Sequence, residues 1–70
     1  MSSRTYRIQE IVGTSSEGVG QAIQNGISRA TESWRHLDWF EVTDIRGYVR
    51  DGKVDNIQVS MKVGFRFEDA

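Results

Sequence analysis

The residues that could do chemistry are few, and all sit in the second half of the chain: His36, Trp39, Arg46, Gln58 and Arg66. No Cys occurs among the 70 residues, so disulfides, thiolate metal centres and a cysteine nucleophile are excluded. A single His leaves a structural zinc site short of ligands. His36 follows the apolar stripe of a helix at its C-terminal end, where the dipole favours a cation, and reads as helix-end chemistry rather than a general base. No triad and no carboxylate pair with a reason to be buried is present, so the chain is not expected to be an enzyme. The run Gly13-Thr14-Ser15-Ser16-Glu17-Gly18-Val19-Gly20 echoes a phosphate loop. Val19 and Gly20, however, stand where Lys and Ser/Thr must follow the second glycine. That run reads instead as a strand end and a helix cap.

What remains is binding chemistry. An indole offers a large flat face, and an amide offers both a donor and an acceptor to a heteroaromatic edge. Arginine can grip phosphate through charge-assisted forks, although surface charge is the commoner fate of an arginine. On pattern alone Gln58 belongs to an ordinary solvated face. Trp39 is different, and its placement depends on the strands around it.

From Ile57 to Phe67 the odd positions are apolar and the even ones polar or glycine, which predicts a strand with two different faces. Asp51-Gly52 supplies a two-residue hairpin turn, so a hairpin is expected from Trp39 to Phe67, with arms of roughly ten residues, about 33 Å each. Upstream, Tyr6 to Gly13 reads as a strand whose alternation slips between Ile8 and Ile11, which predicts a bulge near Gln9-Glu10. Thr14 and Glu17 have the spacing of a capping box, with Ser15 or Ser16 as the other candidate caps. Val19, Ala22, Ile23, Gly26, Ile27, Ala30, Trp34 and Leu37 form one apolar stripe, predicting a helix from about Glu17 to Arg35 that lies along the whole sheet. Gly26 within the stripe points to a close approach of helix and sheet, and Trp34 is placed in the core. The order β-α-β-β makes one α+β domain over residues 1–70: a three-stranded antiparallel sheet, its third strand central, wrapped on one helix.

If Arg50 and Lys53 flank the turn, Trp39 faces Gly64, Glu41 faces Lys62, Thr43 faces Ser60 and Ile45 faces Gln58, all on the side away from the helix. Phe40–Val63 and Val42–Met61 face the helix. Trp39 then projects from the open face beside a neighbour with no side chain, a platform for a ligand or a subunit. An indole buries about 150–250 Å² when stacked, and half of that is worth a few kcal/mol at about 25 cal/mol per Å². Strict alternation puts Arg46 on the helix side, and only a bulge between Thr43 and Gly47, or a position beyond the helix end, would free it.

A chain of this length buries little surface and usually adds a disulfide, a metal or partner chains, of which oligomerisation is the one left. One sheet face lacks a cover and invites another copy. The net charge is −1 with no basic patch, so nucleic acid is not an expected partner. No apolar run approaches the roughly 20 residues of a membrane span, and no signal peptide opens the chain, so a cytoplasmic protein is expected.

Several blocks together resemble the dodecins: Glu10-Ile11-Val12-Gly13-Thr14-Ser15, Arg35-His36-Leu37-Asp38-Trp39-Phe40-Glu41-Val42, Ile45-Arg46-Gly47, Ile57-Gln58-Val59 and Val63-Gly64-Phe65-Arg66. The resemblance runs from about Tyr6 to Glu68. It implies a β-α-β-β subunit, twelve of which form a hollow homododecamer. It implies flavin pairs held between symmetry-related tryptophans and kept for storage, sequestration and photoprotection rather than turnover. Trp39 matches the stacking tryptophan and Gln58 the glutamine that meets the isoalloxazine edge. Arg46 and Arg66 match arginines near the flavin tail. The ligand implied is FMN, riboflavin or FAD. Some bacterial members also bind coenzyme A, so a shell for coenzyme A or another nucleotide, with flavin incidental, is the alternative.

Overall fold

The computed structural model describes residues 3–68. Its elements are β1 (Tyr6–Ser15), α1 (Val19–Ser33), β2 (Leu37–Arg50) and β3 (Lys53–Arg66). The sheet is antiparallel throughout, in the order β1-β3-β2, with the two-faced strand in the centre as its pattern requires. Asp51 and Gly52 turn the hairpin with φ of 53° and 75°, the paired positive values of the tight turn. Val59, Met61, Val63 and Phe65 of β3 are fully buried and meet Ala22 of α1. Gly13 and Gly26 let the helix down onto the sheet: a Cβ at Gly26 would lie 3.2 Å from the Gly13 Cα, and one at Gly13 would strike the Ala22 carbonyl.

The elements differ from expectation in their lengths. The helix is two residues shorter at each end than the expected span from Glu17 to Arg35. At its start the Ser15 hydroxyl accepts from the Glu17 amide at 2.9 Å, and Gly18 at φ 146° is the N-cap with no side-chain bond. Thr14 lies within β1, so the Thr14–Glu17 capping box does not form. At the other end Trp34 is already extended (φ −128°), its amide still bonded to Ala30 at 2.9 Å. Trp34 nonetheless packs on the core, its ring edge-on to Phe65 at 5.1 Å. The hairpin arms have 14 residues each, about 46 Å against about 22 Å for the helix. The helix therefore covers only part of the sheet. It packs on β1 and β3 and barely meets β2.

The bulge expected near Gln9-Glu10 is absent: β1 pairs with β3 without a break from Tyr6↔Arg66 to Ser15↔Ile57. Ile8 and Ile11 simply face opposite sides. Arg7 takes a helix-side position, its guanidinium carbon 5.6 Å from the centre of the Phe65 ring. The irregularities lie in the hairpin instead, between Leu37 and Trp39, between Val42 and Asp44, and between Tyr48 and Val49. The expected pairs Trp39↔Gly64, Phe40↔Val63, Glu41↔Lys62 and Val42↔Met61 all form. Thr43↔Ser60 and Ile45↔Gln58 do not.

Candidate functional site

The slip after Val42 decides the character of the open face. Thr43 is the extra residue, so Asp44 pairs with Ser60, Ile45 with Val59 and Arg46 with Gln58. Ile45 thereby joins the apolar side and Arg46 crosses to the side of Gln58, which strict alternation had denied it. The polar groups of the bulge are occupied locally. The Thr43 hydroxyl donates to the Ser60 carbonyl at 3.2 Å, and the Ile45 amide donates to Asp44 Oδ1 at 3.0 Å. Arg46 is held by Asp44 at 2.9 Å while nearly half of its side chain stays exposed. A second slip near the turn, with Asp55 the extra residue in β3, restores the pairing of Arg50 with Lys53.

The open face thus carries Trp39, Glu41, Asp44, Arg46 and Tyr48 from β2. Gln58, Ser60, Lys62, Gly64 and Arg66 come from β3, and Tyr6, Ile8, Glu10, Val12 and Thr14 from β1. Trp39 does not stand beside the vacancy at Gly64; its indole fills it. A Cβ at Gly64 would run into Cε2, Cζ2 and Cδ2 of the indole, three contiguous ring atoms, so the ring lies across the glycine. Tyr6 meets it edge-on, with ring centroids 5.7 Å apart at 62°. One side of the indole is therefore supported by backbone and its rim by a second aromatic ring, which fixes its orientation before any ligand arrives. Ile8 and Val12 extend the apolar surface and are each about half exposed, at 50% and 52%.

Arg66 is placed at the Trp39 end by a network around the α1–β2 connection. His36 lies beyond the helix in a left-handed conformation, φ 65°, not on the helix end that its place in the stripe predicts. Its Nδ1 meets Arg66 Nη2 at 3.0 Å and its Nε2 meets Glu68 at 2.8 Å. A guanidinium only donates, so Nδ1 is the acceptor and Nε2–H donates to Glu68. Asp38 gathers Arg4 at 3.6 Å, Arg66 at 3.9 Å and the Tyr6 hydroxyl at 3.3 Å. The His36 hydrogen bond, then the Arg35 guanidinium 3.4 Å away, holds the Glu68 carboxyl below the usual carboxylate range.

Two groupings result: Trp39 with Arg66, and Gln58 with Arg46. They share a face, but six residues of β3 separate Gly64 from Gln58, about 20 Å along the strand. That exceeds the reach of a three-ring heterocycle, so one chain cannot offer both its Trp39 and its Gln58 to the same ring. Tyr6 and Asp38 escaped the sequence reading. No turn links β1 to β3, so nothing in the sequence fixes the register that sets Tyr6 against Trp39.

The family model described as Dodecin matches residues 5–68. Dodecin of Thermus thermophilus is 48% identical over 66 residues, covering 94% of this chain and 96% of the relative. The solved dodecin of Streptomyces coelicolor superposes with a TM-score of 0.92 at 53% identity, over the whole of both chains. That of Streptomyces davaonensis does so with a TM-score of 0.92 at 56% identity, over 97% of this chain and all of its own.

Proposed function

The chain belongs to the dodecin family, and we propose that it binds a flavin without turning it over, in a site completed by a second copy of itself. The observation that carries this reading is the seat of Trp39 across Gly64 on a face that also bears Gln58 and Arg46. These residues fit an isoalloxazine. The indole is a pre-oriented apolar plane, since its rotamer is fixed by Gly64 and Tyr6 rather than by a ligand. When bound, the flavin supplies a ring that absorbs light and accepts an electron. Trp39 stacks on that ring and drains its excited state. Gln58 reads its polar edge with one amide, and Arg46 and Arg66 favour a phosphorylated tail, making FMN the preferred ligand over riboflavin. Because about 20 Å of strand parts Trp39 from Gln58, the tryptophan of one subunit works with the glutamine of another.

Self-assembly into a homododecamer is part of the same proposal, and the apolar surface left bare on β2 supports it. Phe40 and Ile45 face the helix side, yet the helix does not reach them, and they remain 47% and 51% exposed. Titrating FMN with flavin-free protein and following flavin fluorescence tests the reading. Quenching that saturates near one flavin per chain supports it, and unchanged fluorescence overturns it. Trp39→Ala should lose a few kcal/mol of flavin affinity, the worth of about half an indole face. The particle mass should stay the same.

A further inference from the structure

We propose that Tyr6 and Asp38 form a relay that re-reduces Trp39 after its oxidation, Tyr6 giving the electron and Asp38 receiving the phenolic proton. The proposal rests on the reading of Trp39 as the ring that faces a photoexcited isoalloxazine, which is the one-electron oxidant. An indole that gives up an electron becomes a radical cation, and if it is not refilled it reacts with oxygen and is destroyed. The structure sets a donor against it. The Tyr6 ring meets the Trp39 ring edge-on at 5.7 Å between centroids. The Tyr6 hydroxyl is bonded to Asp38 Oδ2 at 3.3 Å.

The proton has a defined path. An ionised carboxylate only accepts, so the phenol is the donor in that bond. At rest the proton therefore sits on the oxygen of Tyr6. Once the phenol ring has lost an electron it becomes a strong acid and gives that proton up to the carboxylate. In the relay step one electron passes from Tyr6 to Trp39, the Tyr6 O–H bond breaks, and the proton moves to Asp38 Oδ2. The products are a neutral indole, a neutral phenoxyl radical and a neutral carboxylic acid. One unit of positive charge has moved from Trp39 to Asp38. Return of the electron from the oxidant to Tyr6, with the proton coming back from Asp38, restores every group.

The other aromatic residues are less well placed. Tyr48 shares the face but lies nine residues further along β2, about 30 Å away. Trp34 packs on Phe65 on the helix side of the sheet. A phenylalanine at position 6 would give Trp39 the same ring edge, so a purely positioning role does not use the hydroxyl or its carboxylate partner.

Pulse radiolysis of the ligand-free protein with azide radical, which oxidises indoles, tests the relay without any flavin. In Trp34→Phe, leaving Trp39 as the only indole, the indolyl absorbance should decay and the phenoxyl absorbance rise at one shared first-order rate. That rate should be independent of protein concentration and slower in D2O. Adding Tyr6→Phe should slow the first-order decay at least tenfold and abolish the phenoxyl rise that shares its rate. An indolyl decay unchanged by Tyr6→Phe overturns the proposal. Should Trp34→Phe not fold, the same comparison is made with Tyr6→Phe alone against the parent chain, where Trp34 adds a constant background. Failure of FMN to bind would sink the flavin reading and leave the radiolysis result standing, so the two failures are told apart.

Discussion

At the scale of single residues, the contact between Trp39 and Gly64 concentrates most of the site's order. Their pairing was legible in the sequence because both are counted from the same hairpin turn, and the ladder between Trp39 and Val42 is regular. The consequence was only half legible: the indole covers the glycine rather than standing beside it, since an apolar ring gains area by lying on backbone. Gly64→Ala should therefore be costly although it adds one methyl group. The new Cβ meets the indole itself, and overpacking of this kind costs about 1–3 kcal/mol. Urea unfolding should show that loss, and an FMN titration should show weakened binding because the ring is displaced. A Gly64→Ala protein with parental stability and affinity would mean that Trp39 is not held by this seat. Tyr6 was not legible, because β1 reaches the sheet through a helix and its register depends on packing rather than on a turn.

At the scale of elements, two extra residues, Thr43 in β2 and Asp55 in β3, do what the alternation could not predict. Between them the register is shifted by one, while from Trp39 to Val42 and next to the turn it is the one the turn dictates. A one-residue shift exchanges faces, so Ile45 comes to lie beside Val59 and Arg46 beside Gln58. The apolar side chain thus joins the apolar side of the sheet and the charge the polar side. Such a trade is invisible to a pattern of period two. Arg46→Ala should consequently cost FMN about 1.5–3 kcal/mol of affinity, the range of a hydrogen bond to a charged group, and riboflavin little. Equal losses for both ligands in parallel titrations would remove Arg46 from the phosphate end. Glu68, just past β3, is tied to the α1–β2 connection in a way that pH should reveal. The folded Glu68 carboxyl titrates below its unfolded value. Its stabilising effect is therefore present above the unfolded pKa and fades as pH falls through the folded one. Unfolding midpoints of the parent and of Glu68→Gln, measured from pH 6 to pH 3, should differ most at the upper end and converge at the lower. A gap that is constant with pH would mean that the Glu68–His36 contact does not form in solution.

At the scale of the whole molecule, the single chain is too extended to be a finished fold. Its radius of gyration is 14.5 Å and its extents are 54 × 20 × 15 Å, whereas a compact domain of this length has a radius of gyration of about 11 Å. The excess comes from a hairpin about twice as long as the helix that should cover it. The uncovered length exposes Phe40, Ile45 and Val49 of β2, which a second copy would bury. Closed symmetric assembly would solve this for every subunit at once, since in a two-fold contact each partner gives the other the same surface. Under the proposed function, the same two-fold logic would join Trp39 of one chain to Gln58 and Arg46 of another. Co-refolding Trp39→Ala with an equal amount of Gln58→Ala puts this to a direct test. In a mixed pair, one of the two sites receives an intact Trp39 and an intact Gln58 from different chains, while the other receives neither. With random mixing half the pairs are mixed, so about a quarter of the sites should bind FMN with parental affinity. Were both residues drawn from one chain, every site in every particle would lack one of them. The titration would then show no high-affinity fraction at all.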